Sequence, residues 1–472
     1  MSQNKSFYIT TTLPYVNAEP HIGFAMEIIH ADIIARAKKL QGFEVFFNTG
    51  TDEYGQKIWQ KAKEKGEDTQ KYVDTHAESF KNLISLLGIG PDINFIRTTS
   101  SNHKKAAKEI WKRCQAAGDI YKKNYTIKYC VGCELEKTDS EIENDHCMIH
   151  PHLELEIREE ENYFFRFSKY SQKLLDLYEK NPSFVIPDYR LNEVKVLIER
   201  GLEDFSISRL KAKMPWGVEV PGDDEHVMYV WFDALTSYIS TLGWPDNNEN
   251  FDKFWINGAP VQFAGKDQIR QQAAMWQAIL LSAGITPSKH IVIHGFLNIS
   301  GQKMSKSLGN VISPKEMVEK FGQEASRVIM AGVNQFEDTD VSMDGFILAY
   351  NSNLANGLGN LVSRIMTLAQ DHLKTPAQIA EHEDMSEFFY ILDKFEIKNA
   401  LEFIWRKVGN LDKKIQDSKP WESKDQKIIS ELVTELYSIA RMLNPFMPET
   451  SAKIKELVKT NKKRENLFPR IN

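Results

Sequence analysis

The N-terminal segment reads as a strand, a loop, a helix and a second strand, and this order restricts the fold more than any other feature. Residues 7–13, FYITTTL, are rich in β-branched and aromatic side chains. After a loop, apolar residues such as Ile29, Ile33 and Leu40 recur at helical spacing, and Gly42 suits a helix stop. EVFFNTGTDEYG then predicts a strand that ends in an acidic loop. This βαβ order predicts a parallel sheet with functional loops after its strands.

The rest of the chain divides by pattern and charge. A length of 472 residues exceeds one compact core, so we expect two to four domains. The apolar content of 42% and charged content of 26% are typical of globular proteins. A net charge of -6 neither indicates nor excludes a nucleic-acid partner, because binding depends on local patches. The α/β pattern breaks at about residue 116, returns near 221, and becomes nearly all helical after about 350.

Targeting signals are not evident in the sequence. The N-terminus MSQNKSFYIT has no basic region followed by an apolar stretch, and the apolar run AAMWQAILLSAG is too short to span a bilayer. We therefore expect a cytoplasmic protein with no membrane partner.

A His-x-Gly sequence opens the first predicted helix. The start of a helix offers unpaired N–H groups and partial positive charge, which suit a phosphate. Gly23 lets a ligand approach the backbone, and His21 can donate to a phosphate oxygen. The motif alone is weak, because it is common by chance.

A second motif, KMSKS at Lys303–Ser307, carries two ammonium groups and two hydroxyls between glycines. Such a loop can neutralise a departing pyrophosphate, because nucleotidyl transfer depends mainly on positioning and charge. A match of five residues is far more specific than the His-x-Gly pair.

Three of the four cysteines lie close together with a histidine. Cys130 and Cys133 form a C-x2-C pair, and Cys147 and His150 follow after thirteen residues with the same spacing. Such paired ligands predict tetrahedral zinc, and four protein ligands leave no open position, so the site should be structural. His146 or His152 could replace His150, although the spacing favours His150. Cys114, in a separate helical stretch, is most simply a core or half-buried cysteine.

Together the two phosphate motifs resemble the HIGH and KMSKS signatures of the class I aminoacyl-tRNA synthetases. The blocks LPYVNAEPHIG, GTDEYG, YVWFDAL, GLEDFSISR, FAGKD and GQKMSKSLGN resemble the methionyl branch of that family, in the same order along essentially the whole chain. An insertion of roughly 100 residues is also too small for the editing domain of the leucine, isoleucine and valine enzymes.

The resemblance implies an α/β fold, with a Rossmann-like parallel-sheet catalytic domain, a zinc-bearing connective insertion and an α-helical C-terminal anticodon-binding bundle. The expected segments are a first catalytic half at 1–115, the insertion at 116–220, a second catalytic half with the KMSKS loop at 221–310, a stem-contact region at 311–350, and the anticodon-binding domain at 351–472.

The family's functional residues map onto this chain. The expected ATP-binding residues are His21, Gly23, Phe24, Gly265, Asp267, Lys303, Ser305 and Lys306, of which His21, Gly23, Lys303 and Lys306 are catalytic. The methionine pocket is expected to comprise Leu13, Tyr15, Asp52, Trp231, Ala234, Leu235, Tyr238, Gln268 and Gln272, with Asp52 pairing with the ammonium group. The expected anticodon-binding residues are Asn360, Arg364 and Trp421, which could read unpaired bases by stacking and hydrogen bonding.

The implied reaction joins methionine to tRNA(Met), elongator and initiator. It uses ATP, Mg2+ as a cofactor that assists the release of pyrophosphate, and Zn2+ in the insertion. We expect a monomer.

The chain departs from the family at a few positions in or near the predicted site. Phe24 replaces the second His of HIGH, Tyr54 replaces a His, and Gln272 lies where a pocket His is common. Three alternatives therefore stay open: an inactive tRNA-binding paralogue, a class I synthetase for another amino acid such as cysteine or leucine, and a small-molecule nucleotidyltransferase.

Overall fold

The computed structural model describes residues 5–17, 19–133, 135–137, 141–303, 311–379, 384–463 and 466–472. The chain forms two compact units. The first unit comprises Met1–Glu19, Phe46–Asn82 and Asp92–Ile293, and the second comprises Pro20–Val45, Leu83–Pro91 and His294–Asn472.

The strands, in chain order, are β1 (Ser6–Thr10), β2 (Glu44–Thr51), β3 (Ile93–Arg97), β4 (Ile120–Cys130), β5 (Leu135–Glu136), β6 (Ile142–Glu143), β7 (His146–Cys147), β8 (His150–Glu154), β9 (Glu156–Phe165), β10 (Val185–Ile186), β11 (Phe205–Ser206), β12 (Ser208–Leu210), β13 (Glu219–Val220), β14 (Asp223–Met228), β15 (Pro260–Gly265), β16 (His290–His294), β17 (Leu297–Ile299), β18 (Gln302–Lys303) and β19 (Thr339–Asp340).

The α-helices are α1 (Ile22–Leu40), α2 (Gln56–Glu64), α3 (Thr69–Leu86), α4 (Ser101–Ala116), α5 (Ser171–Lys180), α6 (Asp188–Glu199), α7 (Val230–Ala234), α8 (Ser237–Ser240), α9 (Trp276–Ser282), α10 (Pro314–Phe321), α11 (Gln323–Ala331), α12 (Met343–Ala349), α13 (Asn360–His372), α14 (Ser386–Asp393), α15 (Ile397–Ser418), α16 (Pro420–Ser423), α17 (Gln426–Leu443) and α18 (Pro448–Thr460). Shorter 3-10 or π-helical turns cover Phe167–Tyr170, Phe251–Ile256, Lys266–Gln268, Arg270–Met275 and Tyr350–Gly359.

The main sheet has six strands in the order β10-β16-β15-β1-β2-β3. β1 pairs with β15, β2 with β3 and β10 with β16, all in parallel. The predicted strand at 7–13 is shorter than expected, because β1 ends at Thr10. Residues 11–13 lead instead into a loop at Pro14, which has no N–H to donate to a sheet. The predicted βαβ order is confirmed, and it brings several loops to one edge of the sheet.

Apart from β10, which belongs to the main sheet, the strands from β4 to β14 form antiparallel sheets. β11, β9, β4 and β5 form one sheet, β6 to β8 form a second, and β12, β14 and β13 form a third. Antiparallel hairpins need only short turns, which fits the shorter apolar runs in this part of the sequence.

The second unit contains α1 and the C-terminal helices. α1 begins after His21, and its C-terminal end is followed by Gly42 at a φ of 84°, a left-handed conformation that glycine adopts without strain.

A buried ionic cluster fixes α1: Asp32 accepts hydrogen bonds from Arg36 at 2.7 Å, from Arg327 at 2.6 Å and from the Gly90 amide at 3.1 Å. The Arg327 side chain is 1% exposed, and its remaining donors reach backbone carbonyls of the second unit. The buried charges are thus paired and hydrogen-bonded.

The C-terminal region is helical, as predicted, with α13, α15, α17 and α18 packing around apolar side chains that include Ile365, Ile404, Leu436 and Ile454. Within the described ranges, no helix has the length and apolarity needed to cross a membrane.

Candidate active site and metal centre

Predicted site residues follow three neighbouring strands of the main sheet. Leu13 and Tyr15 follow β1, Asp52 follows β2, and Gly265 ends β15. The three strands are adjacent in the order β15-β1-β2. Because their carboxyl ends meet at one edge, the structure brings these residues together where parallel sheets bind ligands.

Asp52 is held in the first unit by the loop that carries Tyr15. The Asp52 amide donates to the carbonyl of Pro14 at 3.0 Å, and its carbonyl accepts from Val16 at 3.3 Å. The Asp52 side chain accepts from the Tyr54 amide at 3.4 Å. The residue is only 2% exposed. A carboxylate fixed in this way suits an ammonium partner, since both charges would be shielded from water.

An aromatic wall lies on α7 and α8. Trp231, Ala234, Leu235 and Tyr238 are all buried, and the rings of Tyr15 and Trp231 meet edge to face with centroids 6.3 Å apart. The indole nitrogen of Trp231 has no hydrogen-bond partner among the residues that the structure describes. Unpaired buried polar atoms are rare in proteins, and one in an aromatic wall fits a site that a ligand completes.

A second acidic residue lies on the same wall. Asp233 is fully buried, and burial raises its pKa well above the usual value. Burial, followed by the charges of Asp233 and Glu53, also raises the pKa of Tyr54, so that hydroxyl stays neutral. Asp52, whose side chain accepts from the Tyr54 amide, remains the carboxyl group predicted to pair with an ammonium ion.

The two glutamines predicted for the pocket differ in their partners. Gln272 is 1% exposed and donates from Nε2 to the hydroxyl of Tyr238 at 2.5 Å. The Gln268 Oε1 atom is buried and has no hydrogen-bond partner within the described part of the chain. Asp267 neighbours Gln268 but is exposed, so its carboxylate can reach a ligand at the surface.

His21 lies at the start of α1 in the second unit. Its Nδ1 atom accepts a hydrogen bond from the Gly23 amide at 3.0 Å, so a neutral His21 carries its proton on Nε2. The His21 ring is exposed, and Phe24 in the first turn is half-buried. The first turn contains no acidic residue. The arrangement presents an N–H donor and the positive end of a helix, as anion binding requires.

Most of the KMSKS motif lies outside the described residues. The backbone of Lys303 is described and pairs with Asn298 of β17, whereas Ser305 and Lys306 are not described. Their predicted roles therefore stay predictions.

The sequence reasoning missed a buried pair in the second unit. The Nε2 atom of His294 lies 2.7 Å from Glu27 Oε2, and its Nδ1 atom lies 2.8 Å from the Gly295 carbonyl. Both ring nitrogens of His294 therefore face oxygen atoms that can accept a hydrogen bond. Burial lowers the pKa of nearby His30 to about 3, so that ring is neutral. One sequence signal could have indicated this pair: Glu27 lies on α1, the helix that begins after His21.

The structure gathers the predicted metal ligands in the first unit. The ligand atoms of Cys130, Cys133, Cys147 and His150 all lie within 4.8 Å of one another. Cys133 Sγ is 3.1 Å from His150 Nδ1 and 3.4 Å from Cys147 Sγ. Three thiols and one imidazole around one point fit tetrahedral zinc.

The close approach of His150 requires a glycine in the first knuckle. A Cβ atom on Gly132 would lie 2.7 Å from the His150 ring. The alternative ligand His146 instead has its Nδ1 atom 2.7 Å from the Asn144 carbonyl. Cys114 is fully buried in α4, as predicted for a core residue.

The three predicted anticodon-binding residues lie on two helices of the second unit. Asn360 begins α13 and is exposed, and Arg364, one turn later, forms an ion pair with Asp412 of α15. Trp421, on α16 beside Pro420, is 45% exposed. The exposed indole is available for stacking, whereas the Arg364 guanidinium already has a carboxylate partner.

Comparison with known proteins places this fold among the class I aminoacyl-tRNA synthetases. The model of the family described as tRNA synthetases class I (M) matches residues 7–147 and 131–366. The methionine–tRNA ligase of Thermotoga maritima is 40% identical over 95% of this chain and 74% of its own length. That of Rhizobium meliloti is 39% identical over 97% of this chain and 92% of its own.

A solved structure gives the same result. The methionyl-tRNA synthetase of Mycobacterium tuberculosis, in complex with methionyl-adenylate, superposes with a TM-score of 0.88 and 36% identity, covering 96% of this chain and 94% of the other. The chain belongs to the methionine–tRNA ligase family. The predicted α/β class I fold is confirmed.

Proposed function

We propose that this chain activates methionine with ATP and transfers it to the 3′ end of tRNA(Met). Family membership over nearly the whole chain supports this reaction, and so does the complex of the related Mycobacterium tuberculosis enzyme with methionyl-adenylate. In the first step the methionine carboxylate attacks the α-phosphate of ATP and pyrophosphate leaves. In the second, the terminal tRNA adenosine takes the methionyl group, and AMP leaves. No protein nucleophile is needed.

The amino-acid pocket lies in the first unit. Asp52 pairs with the ammonium group of methionine, and the rings of Tyr15, Trp231 and Tyr238 surround its side chain. Ala234, Leu235 and Leu13 contribute apolar surface. The buried Asp52 carboxylate beside an aromatic wall is the observation that carries this assignment. A thioether on an unbranched chain suits such a wall.

ATP would be bound by residues that provide hydrogen-bond donors, hydrogen-bond acceptors and positive charge. His21 donates from Nε2 to a phosphate oxygen, and the first amides of α1 add partial positive charge. Lys303 and Lys306 neutralise the departing pyrophosphate, to which Mg2+ is bound as part of the MgATP substrate. Gly265 and Asp267 contact the ribose.

For the second step we propose that residues 351–472 bind the anticodon of tRNA(Met), both elongator and initiator, with Trp421 stacking on a base. We further propose a monomer that acts in the cytoplasm, where charged tRNA is used. The test compares charging of tRNA(Met) with charging of the same tRNA carrying a changed anticodon. Efficient charging of the first alone supports the proposal, and equal charging of both contradicts the anticodon contact.

The cysteine cluster would bind one structural zinc ion through Cys130, Cys133, Cys147 and His150. Zinc supplies a crosslink that holds the short strands β6 to β8 with the C-x2-C turn. It has no assigned role in the reaction, because all four positions are protein ligands.

Metal analysis tests the zinc proposal with a matched cysteine control. We expect about one zinc per chain in the purified protein, and strong loss of zinc in Cys147→Ser. Cys114→Ser should keep its zinc, because Cys114 is buried in α4. Equal zinc in both variants, measured by atomic absorption on folded protein, would contradict the ligand assignment.

A further inference from the structure

The residue after Asp52 is a second acidic residue, to which the proposed reaction assigns no role. Glu53 lies in the first unit, in the short loop between β2 and α2, and it is fully buried, with 0% exposure. Glutamates are almost never fully buried in proteins unless they are paired and hydrogen-bonded. The partners of Glu53 therefore show what this loop is built to hold.

Four hydrogen bonds fix the Glu53 carboxylate. Arg97, at the end of β3, donates from Nε to Oε1 at 2.6 Å and from Nη2 to Oε2 at 3.0 Å, the two-point contact that suits a guanidinium group. The hydroxyl of Thr51 donates to Oε1 at 2.8 Å, and the hydroxyl of Thr99 donates to Oε2. Each carboxylate oxygen thus accepts two hydrogen bonds, so the side chain is held in one orientation.

The backbone of Glu53 is fixed as well. Its amide donates to the Thr98 hydroxyl at 2.9 Å, and its carbonyl accepts from the indole nitrogen of Trp216 at 2.6 Å. The Trp216 ring also packs against the ring of Tyr54, with centroids 5.4 Å apart. The peptide group between Glu53 and Tyr54 therefore has a set orientation.

That peptide group holds the Asp52 side chain. The C=O and N–H of a trans peptide point in opposite directions, so fixing the Glu53 carbonyl also directs the Tyr54 amide. The Tyr54 amide donates to Asp52 Oδ1 at 3.4 Å. The preceding peptide group is held at both ends too, because the Asp52 carbonyl accepts from the Val16 amide at 3.3 Å and the Glu53 amide donates to Thr98. The two peptide groups that place Asp52 are thus both anchored at Glu53.

We propose that Glu53 is a positioning residue for the amino-acid site: anchored on Arg97, it fixes the loop that directs the Asp52 carboxylate at the substrate ammonium group. This inference rests on the proposed function and on the role proposed there for Asp52. Glu53 acts through Asp52, because both of its own oxygens are occupied by other residues of the chain. Positioning of a charged pair in a buried site strongly affects its strength, so displacing Asp52 weakens ammonium binding in particular.

A pair of inhibitors isolates the ammonium contact. Methioninol carries the side chain and the ammonium group of methionine on an alcohol, and methylthiobutanol is the same alcohol without the amino group. Each competes with methionine in ATP–pyrophosphate exchange by the whole chain, and the ratio of the two inhibition constants measures the preference for the ammonium group. In Glu53→Gln we expect this preference to fall about tenfold, while the inhibition constant of methylthiobutanol stays nearly unchanged. A general distortion of the pocket would instead weaken both inhibitors.

The other carboxylate on Arg97 provides a matched control. Asp74 accepts from Arg97 Nη2 at 2.5 Å, so the arginine keeps an ionic partner in Glu53→Gln, which also preserves the size of the side chain. We therefore expect Glu53→Gln to fold. The Asp74 side chain is 49% exposed, and Asp74→Asn should leave the preference for methioninol unchanged, because exposed ion pairs contribute little.

A second variant tests the same peptide group from its other side. Trp216→Phe keeps a ring beside Tyr54 but removes the N–H that holds the Glu53 carbonyl. The preference for methioninol should fall about threefold, as expected for one neutral hydrogen bond. This variant replaces Glu53→Gln in the test if Glu53→Gln does not fold.

The outcomes are distinct. An unchanged preference in folded Glu53→Gln, or in Trp216→Phe where that variant takes its place, would overturn the inference, and so would equal weakening of both inhibitors. Equal inhibition of the unaltered protein by the two alcohols would contradict the ammonium contact of Asp52, and the inference with it. Absence of methionine-dependent exchange in the unaltered protein would instead contradict the proposed function.

Discussion

The proposed amino-acid pocket and the proposed phosphate site at the start of α1 differ in how their residues are held. In the pocket, Asp52, Tyr238 and Gln272 are buried and held by hydrogen bonds before any substrate is present. At the start of α1, His21 is exposed and uses one ring nitrogen to accept from its own helix. Buried polar groups lose much when a partner is removed, whereas exposed ones are compensated by water. We therefore expect selectivity to depend on the pocket and phosphate binding to depend on the sum of several charges.

The largest effect should follow from changing Asp52. Asp52→Asn keeps the shape of the side chain but removes the charge that we propose pairs with the substrate ammonium ion. We expect kcat/KM for methionine in exchange to fall on the order of a thousandfold, because the substrate charge would lose its buried partner. Asp74→Asn is the control, since Asp74 is an exposed carboxylate of the same unit that pairs with Arg97. A fall of less than tenfold for Asp52→Asn would contradict the role proposed for Asp52 in the amino-acid pocket.

A smaller but substantial effect is expected at the phosphate side. Lys306→Ala removes one positive charge from the KMSKS motif, and adenylate formation should slow at least about a hundredfold. Lys315→Ala, an exposed lysine on α10, should change the rate little. Pre-steady-state kinetics would measure both. An unchanged rate in Lys306→Ala would show that this lysine has no part in the transition state.

The smallest effect is expected at Phe24, where the chain departs from its family. We predict that the ring packs near ATP without donating, while His21 and the lysines supply the charge. Phe24→His should then change adenylation by less than about tenfold. Phe24→Leu separates the loss of the ring from the gain of a donor. An increase of more than tenfold in the adenylation rate of Phe24→His would mean that Phe24 slows the reaction.

Short-range sequence patterns predicted those features whose residues lie close together in the sequence. The four cysteine and histidine ligands lie within 21 consecutive residues, so their spacing alone indicated a common site. The periodicity of α1 and the glycine after it gave its bounds, because helix signals lie within a few turns. The β1 strand was predicted three residues too long at its C-terminal end, since β propensity continues past the last sheet hydrogen bonds.

Long-range pairs were not predictable in the same way. Glu27 meets His294 across 267 residues, and Asp32 meets Arg327 across 295. The hydrogen bonds of Gln272 with Gln262 and Tyr238 join residues of β15, the following helical turn and α8. No short-range sequence pattern marks these residues, because tertiary packing determines which residue each of them contacts. The family resemblance pointed to Gln272 and Tyr238, but the direction of their hydrogen bond required the structure.

The most direct test of the account is ATP–pyrophosphate exchange by the unaltered protein with each of the twenty amino acids. We predict exchange that depends on methionine and exceeds that with cysteine, leucine or any other amino acid. No exchange with any amino acid, or a preference for one other than methionine, would contradict the assigned function.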